Sequence, residues 1–488
     1  MDTPERTPDR PRAIAAARII AALVAILVLC GCAQDAVFTP KSNFCGFKRH
    51  VLATNVTDGM TGSSDRSVTG VGFAPDSLAG TISSSLQGRP QHGLTPEGGA
   101  PAFLFLSGGG QHGAFGAGFI DQWRVESEKR HHSLPQFQMV TGISTGSIQA
   151  SFAFAGMTAL AVDGYTIPDE SVLLTPLAKP SAGGGLGASA GLALARQGAV
   201  ADLTPLYDHL DRHLTDEVLR RVAQGADQGR QLFVGVVDVD SGEAVAFDMG
   251  DMAQRYAVAQ PQPPVSETAL APGARRLKDC YIAAIVASSS APIAARPVFI
   301  DNRMYIDGGA RFGLFGAEIG AVIDDRKRLA AIAGALPGQP PPVPITFAIV
   351  NGTLQTGVPA TCPWADATLC RDGMPSNVVN SPHNTWSFLG LALRSEEVLS
   401  NQIYRFSAQR VGTSAGDCQG CFNFVRIEPD SQQHMLAIGN ETKTCQQWRD
   451  DDRKRLNPIQ FFPNYMRCII DYGRSRPEVV AWAKYRMK

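Results

Sequence analysis

The chain has 488 residues, a formal net charge of −1, 44% hydrophobic side chains and 18% charged ones. That length holds two or three average domains, or one large α/β domain with additions, and it buries a sizeable core. A charge this close to zero excludes a global field that would gather nucleic acid or another polyanion, so no nucleic-acid partner is expected.

Arg10, Arg12 and Arg18 precede an apolar run from Ile19 to Leu29. The run is too short to span a bilayer comfortably and reads as the core of a signal peptide, residues 1–31. It ends in Leu29-Cys30-Gly31-Cys32, which resembles a bacterial lipobox. The resemblance implies cleavage before Cys32 and a lipid anchor on that thiol. An ordinary signal peptide or a membrane anchor is the alternative. Ala33 follows the cysteine, and the likeness to bacterial lipoproteins then implies the outer membrane, facing periplasm or exterior. Residues 32–100, rich in Ser, Thr, Gly and Pro, read as a tether running into an irregular lead-in.

Regular structure is expected from Ala102-Phe103-Leu104-Phe105-Leu106, a buried-strand pattern. A glycine-rich loop follows, Gly108 to Gly118, and then a helical segment from Phe119 to Lys129. A second apolar run, Met139 to Ile143, ends in Gly142-Ile143-Ser144-Thr145-Gly146 and passes straight into a small-residue helix, Ser147 to Gly156. Strand, glycine loop, helix, strand, serine turn and helix make a βαβα series of the doubly wound kind.

Residues 175–201, dominated by Gly, Ala and Ser, read as a flap near the site. One helix is expected over 202–224, a strand over 231–237 and a returning strand over 244–247 beyond an Asp240-Ser241-Gly242-Glu243 turn. Residues 260–273 read as surface loop and 278–287 as helix. Val298-Phe299-Ile300 and Arg303 to Ile306 flank Asp301-Asn302 as a hairpin that feeds Asp307-Gly308-Gly309. A buried strand is expected over 345–350, a helix over 396–409 and a late strand over 422–427.

The sequence holds ten cysteines. Setting aside Cys30 and Cys32 leaves an even number, which in an exported chain implies disulfides. Most of them lie after position 360. Cys362–Cys370 and Cys445–Cys468 are expected as local pairs.

Three stretches carry chemistry. Gly-x-Ser-x-Gly at 142–146 has the layout of a nucleophile elbow, in which Ser144 projects at a helix N-terminus where backbone N–H groups favour negative charge. It is also compatible with a purely structural tight turn. The loop Gly108-Gly109-Gly110-Gln111-His112-Gly113 reads as an oxyanion hole, since consecutive N–H groups face one oxygen only where no β-carbon intrudes. It fits the dinucleotide pattern G-x-G-x-x-G loosely as well. Asp307 in Asp-Gly-Gly is either a plain turn or a carboxylate held beside Ser144.

Together, in this order, these stretches resemble the patatin-like phospholipases over about residues 100 to 350. Ala287-Ser288-Ser289-Ser290-Ala291-Pro292 and Asp238-Val239-Asp240-Ser241-Gly242 agree with the resemblance. It implies an α/β fold, a three-layer α/β/α sandwich over 101–355, with a disulfide-containing C-terminal extension over 356–488 packed on it. It implies a lipid acyl hydrolase without metal or organic cofactor, in which Ser144 attacks, Asp307 takes the proton and Gly108, Gly109, Gly110 and Gly113 form the oxyanion hole. The substrate would be a membrane lipid or another acyl ester. His112 stands where the family usually has Arg or Lys. His112 reads either as a loop histidine bonded to backbone or as a group that steers lipid phosphate only when protonated. On the second reading, phospholipid hydrolysis relative to a neutral ester is expected to fall between pH 6 and pH 8. The rival readings are an α/β-hydrolase esterase with a Ser144, Asp307, His383 triad, and a lipid-binding lipoprotein that does no chemistry.

Overall fold

The apolar runs pair into one nine-stranded sheet. The computed structural model describes residues 44–52, 78–86, 94–95, 100–177, 197–266, 269–333, 343–352, 354, 388–416 and 420–487. The strands of this sheet are β1 (Arg49–Val51), β2 (Ala102–Leu106), β3 (Met139–Ile143), β4 (Gln231–Asp238), β5 (Ala244–Asp248), β6 (Val298–Ile300), β7 (Arg303–Asp307), β8 (Ile345–Val350) and β9 (Phe422–Arg426). The sheet order is β1-β5-β4-β3-β2-β8-β9, with β7 paired to β4 and β6. Strands β4, β3, β2, β8 and β9 run parallel, while β1, β5, β6 and β7 pair antiparallel.

Parallel strands are buried on both faces and therefore read as continuous apolar runs. Alternate side chains serve two cores. Leu104, Leu106, Val140, Val234 and Phe347 pack on one face. Phe103, Phe105, Met139, Phe233 and Ala348 pack on the other. Helices cover both: the first face takes α2 (Gly113–Lys129), α3 (Thr145–Ala155), α4 (Thr158–Tyr165), α5 (Thr204–His213), α6 (Asp216–Asp227), α7 (Met249–Ala259) and α8 (Pro272–Ser288). The second takes α1 (Leu78–Ser85), α9 (Gly316–Ala333) and α10 (Phe388–Ala415). The molecule is thus a mixed α/β fold with a central, largely parallel sheet between helical layers. Among the described residues no helix is long and apolar enough to cross a membrane.

The stretch read as irregular lead-in adds more than its composition announces. β1 forms an edge of the main sheet, in register Arg49 to Phe247 and Val51 to Val245. The backbone before it is tied to the β6–β7 turn, where Asp301 accepts hydrogen bonds from the N–H groups of Cys45, Gly46 and Phe47 at 2.6, 2.7 and 2.9 Å. A Cys45–Cys280 disulfide fixes the same segment to α8. The expected helix over 202–224 is two helices, because Leu214 turns inward and Thr215 caps a new one, accepting from Val218 N–H.

The C-terminal segment contributes α11 (Cys445–Leu456), α12 (Pro463–Ser475) and α13 (Pro477–Trp482). Helix α12 lies against α2 so closely that a β-carbon on Gly118 would stand 2.1 Å from the Ile470 carbonyl oxygen. Trp482 packs on Phe119, Trp123 and Phe347 with ring centroids 4.8 to 5.0 Å apart. The expected Cys445–Cys468 pair is formed, and Cys421 is also disulfide-bonded. Cys362, Cys370 and most of the expected flap, 178–196, lie outside the described residues.

Candidate active site

Strand β4 brings the serine turn to the Asp-Gly-Gly turn. Along one of its edges β3 pairs from Met139 with Gln231 to Ile143 with Gly235. There β3 ends, and β7 takes over the same edge with Asp307 opposite Val236, the next residue along. Two strands running in opposite directions therefore meet end to end, and the residues that leave them are Ser144 and Gly308. A β-carbon on Gly308 would touch the Gly235 carbonyl at 2.7 Å and Ile143 Cγ2 at 3.0 Å, so the junction admits only glycine there.

Ser144 sits at φ 54° and ψ −129°, a backbone region costly for any residue with a side chain, and heads helix α3. The turn is held by Ser147, whose N–H and hydroxyl both donate to the Ser144 carbonyl, at 2.9 and 2.6 Å. Ser288, at the end of α8, bridges the two strands: its hydroxyl accepts from Ser144 N–H at 2.8 Å and donates to the Gly235 carbonyl at 2.6 Å. Two residues on, the Ser290 carbonyl accepts from Asp307 N–H at 3.0 Å. The Ala287–Pro292 stretch thus clamps both turns. Asp307 is 5% exposed, and its Oδ1 accepts the Gly309 N–H at 2.7 Å, which fixes the carboxylate plane.

The glycine loop leaves β2 beside this junction. Gly109 has φ 151°, and a β-carbon there would lie 1.8 Å from the Asn351 carbonyl oxygen. Asn351, one residue beyond β8, braces the loop throughout. Its N–H donates to Ser107 Oγ at 2.9 Å, its Nδ2 to the Ser107 carbonyl at 2.8 Å, and its Oδ1 accepts from Gly116 N–H at 3.1 Å. Gly109 and Gly110 line the cavity described below. Gly108 lies just behind them against Ser144 Cβ. At Gly113 a β-carbon would collide with Thr145 Oγ1 and the Tyr165 hydroxyl.

A cavity of about 400 Å³ opens at this point and is lined by Ser144 and Asp307. It lies at the carboxyl ends of β2 and β8, where the parallel strand order reverses, the usual ligand position in an open α/β sheet. One wall is apolar, built from Ile148, Phe152, Leu173, Leu174, Leu206 and Leu210. Another wall comes from the C-terminal segment, with Gln432, Gln460, Phe461 and Tyr465, and from Ser400, Asn401 and Tyr404 of α10. Glu170 holds that wall in place, its carboxylate accepting the N–H groups of Ile459, Gln460 and Phe461 at 2.8, 2.6 and 2.8 Å.

Of the two readings of His112, the phosphate-steering one is contradicted. Burial pushes its pKa down to about 4, with the Arg449 guanidinium adding to the shift, against an opposing hydrogen bond to Gly109. Its ring stacks edge-on to Tyr465 at 6.0 Å. The imidazole is neutral from pH 6 to pH 8, so the proposed titration of phosphate steering in that range does not occur. His383 and Cys32 lie outside the described residues. No group of three or more His, Cys, Asp or Glu side chains is arranged to hold a metal ion among the described residues.

Asn351 and Tyr404 escaped the reading of the sequence. Asn351 follows a buried strand directly, and strand ends are where such folds bind ligands. Tyr404 carries no local signal at all. Residues 104–315 match the family model described as Patatin-like phospholipase. The chain carries a patatin-like phospholipase domain. That family consists of lipid acyl hydrolases, and the fold around the matched segment is the α/β arrangement it implies. Among solved structures, VipD from Legionella pneumophila is similar at 12% identity, over 79% of this chain and 83% of that one, with a TM-score of 0.25. No curated protein matches the sequence.

Proposed function

We propose that this patatin-like protein cleaves acyl esters of lipids through an acyl-enzyme on Ser144, with Asp307 as the base. The observation that carries the reading is the shared edge of β4, where Ile143 opposite Gly235 and Asp307 opposite Val236 bring the two turns together at one cavity. In the first step Ser144 Oγ bonds to the ester carbonyl carbon and its proton passes to Asp307. The carbonyl π pair moves onto oxygen, which the N–H groups near Gly109 and Gly110 receive. Collapse expels the alcohol, which leaves with the proton from Asp307. Water then bonds to the acyl carbon as its proton passes to the same carboxylate, and collapse breaks the Ser144 Oγ–carbon bond, Oγ taking that proton back as the fatty acid leaves. The apolar wall at Phe152, Leu206 and Leu210 suits the acyl chain, and the polar wall at Gln432 and Gln460 suits the departing alcohol.

The lipobox-like Leu29-Cys30-Gly31-Cys32 supports a lipid anchor on Cys32 and a place in the bacterial envelope, most simply the outer membrane, next to the lipid substrate. The test of the chemistry is hydrolysis of a neutral acyl ester by wild type and three variants. Ser144→Ala and Asp307→Asn each lose nearly all activity, whereas His383→Ala keeps most of it. A loss of about a thousand-fold on His383→Ala with the fold intact would replace the dyad by a Ser-Asp-His triad.

A further inference from the structure

Three glycines around the active site are not glycine for the sake of their backbone. Gly108, Gly309 and Gly313 all lack the positive φ that would exclude other residues. What they lack room for is a β-carbon, and the obstacle is the same side chain each time. A β-carbon on Gly108 would stand 2.0 Å from the Tyr404 hydroxyl oxygen and 2.9 Å from Ser144 Cβ. One on Gly309 would stand 2.6 Å from that hydroxyl and 3.1 Å from Asp307 Oδ1, and one on Gly313 would stand 2.3 Å from Tyr404 Cδ1. The oxyanion loop and the Asp-Gly-Gly loop together clear a slot for one phenol. Its oxygen is no farther from the nucleophile's Cβ, or from the Asp307 carboxylate, than the two short spans in each case add up to.

Tyr404 belongs to α10, beyond the segment 104–315 that matches the family. It is partly exposed and lines the cavity, so a substrate reaches it. The helix is pinned on both sides of it. The Arg405 guanidinium donates to the Leu354 carbonyl, and Ser407 Oγ accepts from Gly313 N–H at 3.0 Å. A donor fixed before the reaction begins stabilises developing charge without reorganising, which is what makes such groups effective.

We propose that the Tyr404 hydroxyl touches the reacting ester and donates a hydrogen bond to its carbonyl oxygen as that oxygen becomes negative. The inference rests on the hydrolase reading above. Tyr404 transfers no proton: Ser144 Oγ forms the new bond to carbon, Asp307 takes the serine proton, and the electron pair of the carbonyl settles on the oxygen that Tyr404 and the glycine loop share. The C-terminal extension thereby completes the reaction centre of the matched domain.

The experiment compares wild type with Tyr404→Phe in the full chain, using a neutral p-nitrophenyl acyl ester and an alkyl trifluoromethyl ketone, which forms a tetrahedral oxyanion on an active serine. The phenylalanine variant keeps the ring in its slot and the melting temperature of wild type. Its kcat falls about 10- to 100-fold while KM changes little, as for loss of one oxyanion donor. The inhibition constant of the ketone rises by the same factor as kcat/KM falls, which a ring that only fills space would not cause. If Tyr404→Phe matches or exceeds wild type in kcat, the phenol is a filler or an obstruction and the proposal is wrong. A wild type that neither hydrolyses the ester nor reacts with a fluorophosphonate would sink the hydrolase reading itself, and this proposal with it.

Discussion

Ser144 holds a backbone conformation, φ 54° and ψ −129°, that glycine adopts freely and other residues do not. Strain of this kind costs about 1–3 kcal/mol and persists only where the surroundings enforce it. Ser144→Gly is therefore expected to be inactive yet more stable than Ser144→Ala by about 1 kcal/mol in urea unfolding. Equal stability of the two variants would mean the turn stores no strain. His112 and His209 both have pKa values pushed down to about 4, chiefly by burial. In the unfolded chain both titrate near about 6.5. The unfolded state then binds more protons between those values, so stability is fully present above about pH 6.5 and is lost as pH falls toward 4. Urea midpoints at pH 7, 5.5 and 4.5 should fall in that order, and His209→Gln should flatten the decline. The ratio of phospholipid to neutral-ester hydrolysis should be flat from pH 6 to pH 8. At this scale the two turns that carry Ser144 and Asp307 were legible because their glycine neighbours are enforced by close contacts. The charge state of His112 was not, because Arg449 and Tyr465 reach it from more than three hundred positions away in the chain.

The strands buried on both faces were legible, and so were the partly exposed β6–β7 hairpin and β9. Strands β2, β3, β4 and β8 announce themselves as apolar runs because both cores demand it. Strand β1 was missed because it is a short edge strand: Arg49 and Val51 face solvent, and only His50 points inward. What holds it is long-range chemistry that no local window contains, the Asp301 carboxylate under three N–H groups and the Cys45–Cys280 disulfide. Closing a loop of 235 residues restricts the unfolded chain severely. Replacing both cysteines by serine is expected to lower stability by about 2–5 kcal/mol. Loss below about 0.5 kcal/mol would mean that β1 and Asp301 hold the segment unaided. The break between α5 and α6 had a visible signal, Thr215 followed by Asp216 and Glu217, which are a cap and acidic residues in the first turn.

On the scale of the whole molecule, the matched segment and the C-terminal segment line one cavity. Helix α12 lies on α2, β9 extends the sheet beside β8, and Gln460, Tyr465 and Tyr404 face the cavity that holds Ser144. The late strand and an extension packed on the domain were expected; which of its residues reach the cavity was not readable, because that depends on shape rather than on local pattern. Its removal is expected to abolish activity as well as stability. Lipid anchoring belongs to the same scale: Cys32→Ala should abolish incorporation of labelled fatty acid, and unchanged incorporation would place the anchor elsewhere. The central claim is the covalent step on Ser144, and acid quenching followed by peptide mass spectrometry tests it most directly. Wild type mixed with a slowly hydrolysed acyl ester should carry the acyl mass on the peptide containing Ser144, while Ser144→Ala carries none and turns over no ester. An acyl group on another residue, or full turnover by Ser144→Ala, would contradict the account.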